Sequence, residues 1–293
     1  DQRTILTFTD SNLNKPAMLI QLIKGGTFSN FSLKGNYKAP IYKDTSYYFT
    51  NFPVNNNYSG IVIDGDGTKN TGGSTGFKIE NVVVDGFDVL YDISPNGVTF
   101  NADIIRLNDI QCGNGRIGVR SGQAQGKGNI INNITSWGRL HTLFQSGKSG
   151  KFQGGDYTIN GGNIAGLPVQ LFDVQQSGWN NFTVNDLYAE SLGRLGYFGS
   201  STSQHKIPIS LNRIRIRFAQ KELAGEQTLI ISQAPRFIIN NSTLWYYGYV
   251  GRNMKFSGNI TFDNCDFGAS VWSNASCFNI VYTPSGIISR NTQ

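Results

Sequence analysis

The four-residue pattern apolar, Asn, polar, apolar at Ile131-Asn132-Asn133-Ile134 returns along most of the chain. Laid in register, its first position reads Ile79, Leu107, Ile131, Ile159, Val184, Leu211, Ile239 and Phe262, with no polar residue in the column. A column that is apolar throughout belongs in a core. The next position reads Glu80, Asn108, Asn132, Asn160, Asn185, Asn212, Asn240 and Asp263, which makes a ladder of asparagines. A second alternation follows, as in Asn81-Val82-Val83-Val84 and Arg213-Ile214-Arg215-Ile216. Two short strands therefore meet at one Asn.

The landmarks Asn81, Asp109, Asn133, Gly161, Asp186, Arg213, Asn241 and Asn264 are spaced by 23 to 28 residues. A period of this size means a solenoid. Each unit holds short alternating runs of Ile, Val, Phe and Thr broken by Gly, Asn and Ser, which is strand-and-turn chemistry. A helical repeat needs runs of about 10 to 14 helix-forming residues, and no unit supplies one. Asn tolerates the left-handed backbone region and can turn the chain without the entropic cost of Gly. The fold class this predicts is all-β: a single right-handed parallel β-helix with three strands per coil, about nine to ten coils, and an Asn ladder at one turn. Right-handedness follows from the bias of parallel crossovers.

Third strands are expected at 89–93, 117–120, 142–145, 169–173, 195–198, 229–232 and 278–281. Phe28 to Leu33 reads as a first coil and Ile61 to Gly65 as a second. Residues 1–24 read as a lead-in, with a short helix through Ala17-Met18-Leu19-Ile20 covering the open end of the core. The β-helix is expected over 25–283 and a tail over 284–293. Loops around 199–206 and 219–226 are plausible lips over a groove.

Composition narrows the function. The chain has 293 residues, 39% hydrophobic and 12% aromatic, enough for a long narrow core. Net charge is +6, yet only 15% of residues are charged and no Lys/Arg run stands out, so nucleic acid is a poor partner. No apolar run is long enough to cross a membrane. The chain opens on Asp1 with no export signal, which reads as a processed or excised piece. Cys112 and Cys265 fall in inward columns and are expected as buried thiols; with Cys277 they are too few for a disulfide framework. Asp64-Gly65-Asp66-Gly67 reads as a turn rather than a calcium loop, because the remaining ligands are missing. No metal or cofactor is expected.

The Asn ladder, over roughly residues 28 to 283, resembles that of the pectin-lyase-like parallel β-helix superfamily, which includes pectate lyases, polygalacturonases and bacteriophage tailspikes. The polygalacturonase strings Asn-Thr-Asp, Gly-His-Gly and Arg-Ile-Lys are absent: Arg116-Ile117 is followed by Gly118. The carboxylate cluster of pectate lyases is not recognisable either. The chain is most similar to the β-helical body of a phage tailspike or tail appendage. That resemblance implies a homotrimer in a virion tail that binds, and by acid/base glycosidic cleavage depolymerises, a bacterial surface polysaccharide such as capsule, O-antigen or teichoic acid. The alternatives are a non-catalytic structural or adhesive β-helix and a secreted lyase or hydrolase.

Inward positions are spent on packing, so candidate chemistry lies outward. One outward column of the third strands reads Asp92, Arg120, Gln145, Asp173 and, more loosely, Gly199 and Ser232. Asp173 is its central acid, His141 enters the same face one coil below, and Glu190 comes from the coil above. Glycoside hydrolysis needs two carboxyl groups about 5 to 9.5 Å apart, and adjacent coils lie about 4.8 Å apart. Asp173, Glu190 and His141 are therefore the catalytic candidates, with Arg120 and Gln145 beside them for binding. A second outward column reads Asp85, Gly113, Trp137, Ala165, Glu190, Arg217, Trp245 and Gly268. Exposed Trp beside Arg suits sugar faces and acidic groups, so Trp137, Arg215, Arg217 and Trp245 complete the binding set. His205 reads as a surface residue.

Overall fold

In the computed structural model the protein is described over residues 3–9, 15–21, 23–40, 52–55, 58–64, 74–93, 102–122, 126–147, 155–165, 169–175, 181–199, 209–219, 228–234, 236–248, 254–271, 280–283 and 288–290. Strands alternate along the chain between a 15-stranded and a 10-stranded sheet, and strands that neighbour in a sheet come from successive coils. Every pairing is parallel, as in Ile131 with Ile159 and Phe144 with Phe172. The chain therefore winds as a parallel β-helix, with no helix among the described residues. The first sheet takes two strand segments from each coil, before and after a corner, and the second sheet takes one. The loops expected at 199–206 and 219–226 lie almost wholly outside the described residues, as do His205, Cys277 and residues 65–67.

Six asparagines form the ladder. The side-chain amide of Asn132 donates to Asn108 Oδ1 (2.9 Å), Asn160 to Asn132 (3.0 Å), Asn185 to Asn160, Asn212 to Asn185 and Asn240 to Asn212 (each 2.9 Å). These residues do not make the turn themselves. The following residue does: Asn30, Asn81, Asp109, Asn133, Gly161, Asp186, Arg213, Asn241 and Asn264 have φ between 47° and 69°. This second column is laddered as well, with Asn133 donating to Asp109, Asn81 to Asn30 and Asn264 to Asn241. One corner thus carries two parallel ladders, one part-buried and one exposed. Because side-chain bonds hold this corner, its backbone also accepts Arg213, a residue with no intrinsic left-handed preference.

A different corner carries a strained residue. Gly25, Gly76 and Ile104 occupy equivalent places on successive coils, donating from their backbone N–H groups to Thr75 O, Asp103 O and Lys127 O. Ile104 holds φ 56° where its neighbours are glycine, and it is 51% exposed. A β-branched residue there costs about 1–2 kcal/mol, and glycine gives back about 0.5–1 of that through its looser unfolded chain. Ile104→Gly is expected to raise stability by about 0.5–1 kcal/mol, read as a small upward shift in thermal melting.

The lumen runs unbroken from Ile20 to Cys265. Its centre is aromatic: Phe144, Phe172 and Phe198 of the second sheet meet Tyr157, Phe182 and Phe237 of the first, the last contact stacked at 4.3 Å. Cys112 and Cys265 are free and buried in this core, as their columns require. Burial alone pushes the Cys112 thiol up to about 12.

Three local expectations are corrected. The segment expected as a capping helix is a strand, Met18–Gln21, paired with Ser59–Asp64. A four-residue apolar stretch cannot nucleate a helix, whereas the open edge of the second sheet gives its backbone partners at once. Phe28 to Leu33 and Ile61 to Gly65 are not successive coils. Thr27–Lys34 pairs directly with Lys78–Asp85 in the first sheet, and Ser59–Asp64 lies in the second. The stack also takes in Thr4–Thr7 and Ile288–Arg290, in the stretches expected as lead-in and tail.

Candidate functional site

Strand alternation sends every second residue beyond the Asn corner outward. In register across the coils these are Gln111, Thr135, Asn163, Tyr188, Arg215, Thr243 and Asp266. Two residues further along each strand stand Trp137, Ala165, Glu190, Arg217, Trp245 and Gly268. Arg217, Trp245 and Gly268 are direct partners in adjacent strands. The residues between the two columns, Ser136, Ile164, Ala189, Ile216 and Leu244, are buried and anchor the face to the core.

Two cavities adjoin on this face. One, of about 560 Å³, is lined by Asp186, Leu187, Tyr188, Arg213, Arg215, Asn241 and Thr243. The other, of about 200 Å³, is lined by Tyr188, Arg215, Ile216, Arg217, Thr243 and Trp245. Tyr188, Arg215 and Thr243 belong to both. Trp137, Tyr188 and Trp245 are exposed aromatics, at 53%, 37% and 41%. The Trp245 indole lies over Gly268, where a β-carbon would come within 2.6 Å of the indole nitrogen. Only glycine at 268 lets the ring lie there.

Charges on the face are mostly paired. Asp186 accepts two hydrogen bonds from Arg213, at 2.7 and 2.8 Å, which holds its carboxyl below the usual range. Glu190 accepts from the Tyr188 hydroxyl at 2.9 Å and stands 3.9 Å from Arg217. The bond to Glu190, with some burial, raises the Tyr188 hydroxyl. Asp186 and Glu190 are four residues apart on one strand, on the order of 13 Å. Asp266 lies three strands beyond Glu190, about 14 Å at the ordinary strand spacing. By backbone spacing these three acids stand farther apart than the roughly 5 to 9.5 Å that glycoside cleavage requires.

Asp92, Arg120, Gln145 and Asp173 do stack, one above the next, on the outer side of the second sheet. The column continues through Tyr197 and Ile231, not Gly199 and Ser232, because Asp173 pairs with Tyr197 and Tyr197 with Ile231. It is covered rather than exposed. Asp92 and Asp173 are 1% and 5% accessible. Arg120 forks onto Asp92 at 2.8 and 2.5 Å, and Ser59 donates to the same carboxylate. Asp173 accepts from Gln145 and Gln175 at 2.9 and 2.8 Å. Beside this column Arg116 forks onto Asp88, which is 0% accessible. Two residues distant in sequence from this sheet reach it: Pro40 O accepts from Arg139, and the Phe52 ring meets His141 edge-on at 5.5 Å. Burial and the charge of Asp88 raise the Tyr37 hydroxyl.

Of the residues the sequence pointed to, Trp137, Glu190, Arg215, Arg217 and Trp245 share the exposed face of the first sheet. Asp173, His141, Arg120 and Gln145 stand on the second sheet, and no hydrogen bond joins Asp173 to Glu190. Tyr188 and Asp186 were missed as site residues, whereas Arg213 is legible from its alternation with Arg215 and Arg217 as a third guanidinium of the face. Tyr188 was legible in principle, since it occupies the place of Arg215 one coil earlier. The described residues contain no cluster of His, Cys, Asp and Glu that could hold a metal ion. Comparison of the chain with protein-family models, curated proteins and solved structures finds no match.

Proposed function

We propose that this β-helix binds a bacterial surface polysaccharide along the exposed face of its first sheet, as the body of a tailspike-like phage tail appendage. The observation that carries the reading is the pair of adjoining cavities under Tyr188, Arg215 and Trp245. A pyranose has an apolar side that an aromatic ring covers and hydroxyl edges that Thr243, Asn241 and the arginines can bond. Successive coils repeat these groups at strand spacing, which suits an extended polymer lying along the helix axis. Homotrimer assembly and placement in a virion tail belong to the same reading.

Depolymerisation is its sharper form. It gives Glu190 the acid role and needs a second carboxyl group from another part of the assembly, since Asp173 is buried on the second sheet. The non-catalytic adhesive alternative is favoured by the backbone spacing of Asp186, Glu190 and Asp266, which sets these acids of the face too far apart to work as a pair.

Affinity electrophoresis against capsular, O-antigen and teichoic-acid polymers tests binding. Trp245→Ala is expected to weaken retention at least tenfold, about 1.4 kcal/mol. Unchanged retention would remove this face from the reading. Product sizing of the retained polymer, with the parent protein and with Glu190→Gln, separates cleavage from binding alone. Sedimentation as a monomer would count against the tailspike assignment.

A further inference from the structure

Three guanidinium groups rise from one coil, Arg213 at the corner and Arg215 and Arg217 on the strand that follows, and they differ in how they are satisfied. Arg213 is held by Asp186 through two hydrogen bonds, and Arg217 faces Glu190. Arg215, exposed between them, has no hydrogen bond or ion pair among the described residues. Its partners in the adjacent strands, Tyr188 and Thr243, carry no charge. Further along the same column the first acid is Asp266, two strands away and about 10 Å off at ordinary strand spacing. Arg215 also lines both cavities, as do Tyr188 and Thr243.

We infer that Arg215 forms an anion subsite, and that the glycan this face binds carries an acidic group, a carboxylate or a phosphate. The inference rests on the polysaccharide reading above. A guanidinium presents a planar fork of N–H donors that matches the two oxygens of either group. The two flanking arginines are already matched by acids on the preceding coil, so the surplus positive charge of this part of the face is concentrated at Arg215. An acidic sugar there keeps its ring against Tyr188 or Trp245 while its charged group takes the fork. Thr243 and Asn241 remain for the uncharged hydroxyls. A neutral glycan offers the guanidinium only hydroxyl oxygens and leaves its charge unmatched, whereas an acidic one meets both the donors and the charge.

The test uses the full chain and an array of acidic and neutral bacterial polysaccharides, with uronate polymers and poly(glycerol phosphate) teichoic acid as separate arms. Arg215→Gln and Arg215→Lys are compared with Lys34→Gln, which removes one positive charge from a distant coil. The retained polymers are expected to be acidic, and carboxyl reduction of a retained uronate polymer abolishes its retention. Arg215→Gln weakens retention at least tenfold, Arg215→Lys restores part of it, and Lys34→Gln leaves it unchanged. Added salt weakens the parent more than Arg215→Gln. Whichever of the two acidic arms is retained identifies the anion. Neutral polymers held as tightly as acidic ones, no effect of Arg215→Gln, or an equal loss with Lys34→Gln would each overturn the anion subsite and leave glycan binding standing. No retention of any polymer would instead overturn the polysaccharide reading.

Discussion

Arg120→Met is expected to destabilise the protein by about 3–5 kcal/mol while leaving glycan retention by the folded protein unchanged. Arg120 caps the Asp92 carboxylate with two hydrogen bonds, and that carboxylate is 1% accessible. Removing the guanidinium leaves a buried charge with, among the described residues, only the Ser59 hydroxyl as donor. The pair as a whole contributes far less, because desolvating two ions offsets most of their attraction. Arg120→Met combined with Asp92→Leu should therefore recover more than half of the loss. Chemical denaturation of the parent, the single and the double variant measures all three. A single variant as stable as the parent would show that the carboxylate has another partner or reaches water. The same experiment decides what Arg120 is for: a binding residue would lose retention, whereas a packing residue loses stability.

Asn185→Ala is expected to cost about 2–3 kcal/mol. Asn185 donates to Asn160 and accepts from Asn212, so its loss removes two bonds and leaves Asn160 Oδ1 and the Asn212 amide unmatched in part-buried positions. The position is interior, with two further ladder bonds on one side of the pair it makes and one on the other. In a stacked array, stability is close to a sum of coil and interface terms, and weakening one interface divides the cooperative unit. The melt should broaden or split rather than simply shift. Hydrogen exchange should speed up most in the strands Tyr157–Ile164, Phe182–Leu192 and Ile209–Asn212 around the break. A single sharp transition at the parent temperature would mean the amides add nothing to the cohesion of the stack.

The winding itself was legible because it is written locally. The apolar column from Ile79 to Phe262 and the Asn column beside it are set by strand alternation and a fixed coil length, and both need only neighbours in sequence to be read. The same periodicity placed Arg217, Trp245 and Gly268 in one row, which the strand register reproduces. It also placed Asp92, Arg120, Gln145 and Asp173 in a row. Periodicity says which way a side chain points and not what lies above it. For that reason the row on the first sheet is open and the row on the second is covered, although both read alike as alternating polar positions. The near-central place of Asp173 made it look like a site acid; its two glutamine partners make it part of a buried polar layer.

By itself, then, the sequence determined the all-β stack, its core columns and the stacking of its outward rows, since these depend on the pleat and on a repeat that any register must respect. Only the tertiary structure decided which outward row meets solvent, which arginines already have acids beside them, and that Tyr188 and Arg213 join Arg215 around one cavity. Those outcomes depend on how segments distant in sequence come to lie over or beside a strand, and no spacing along the chain records that.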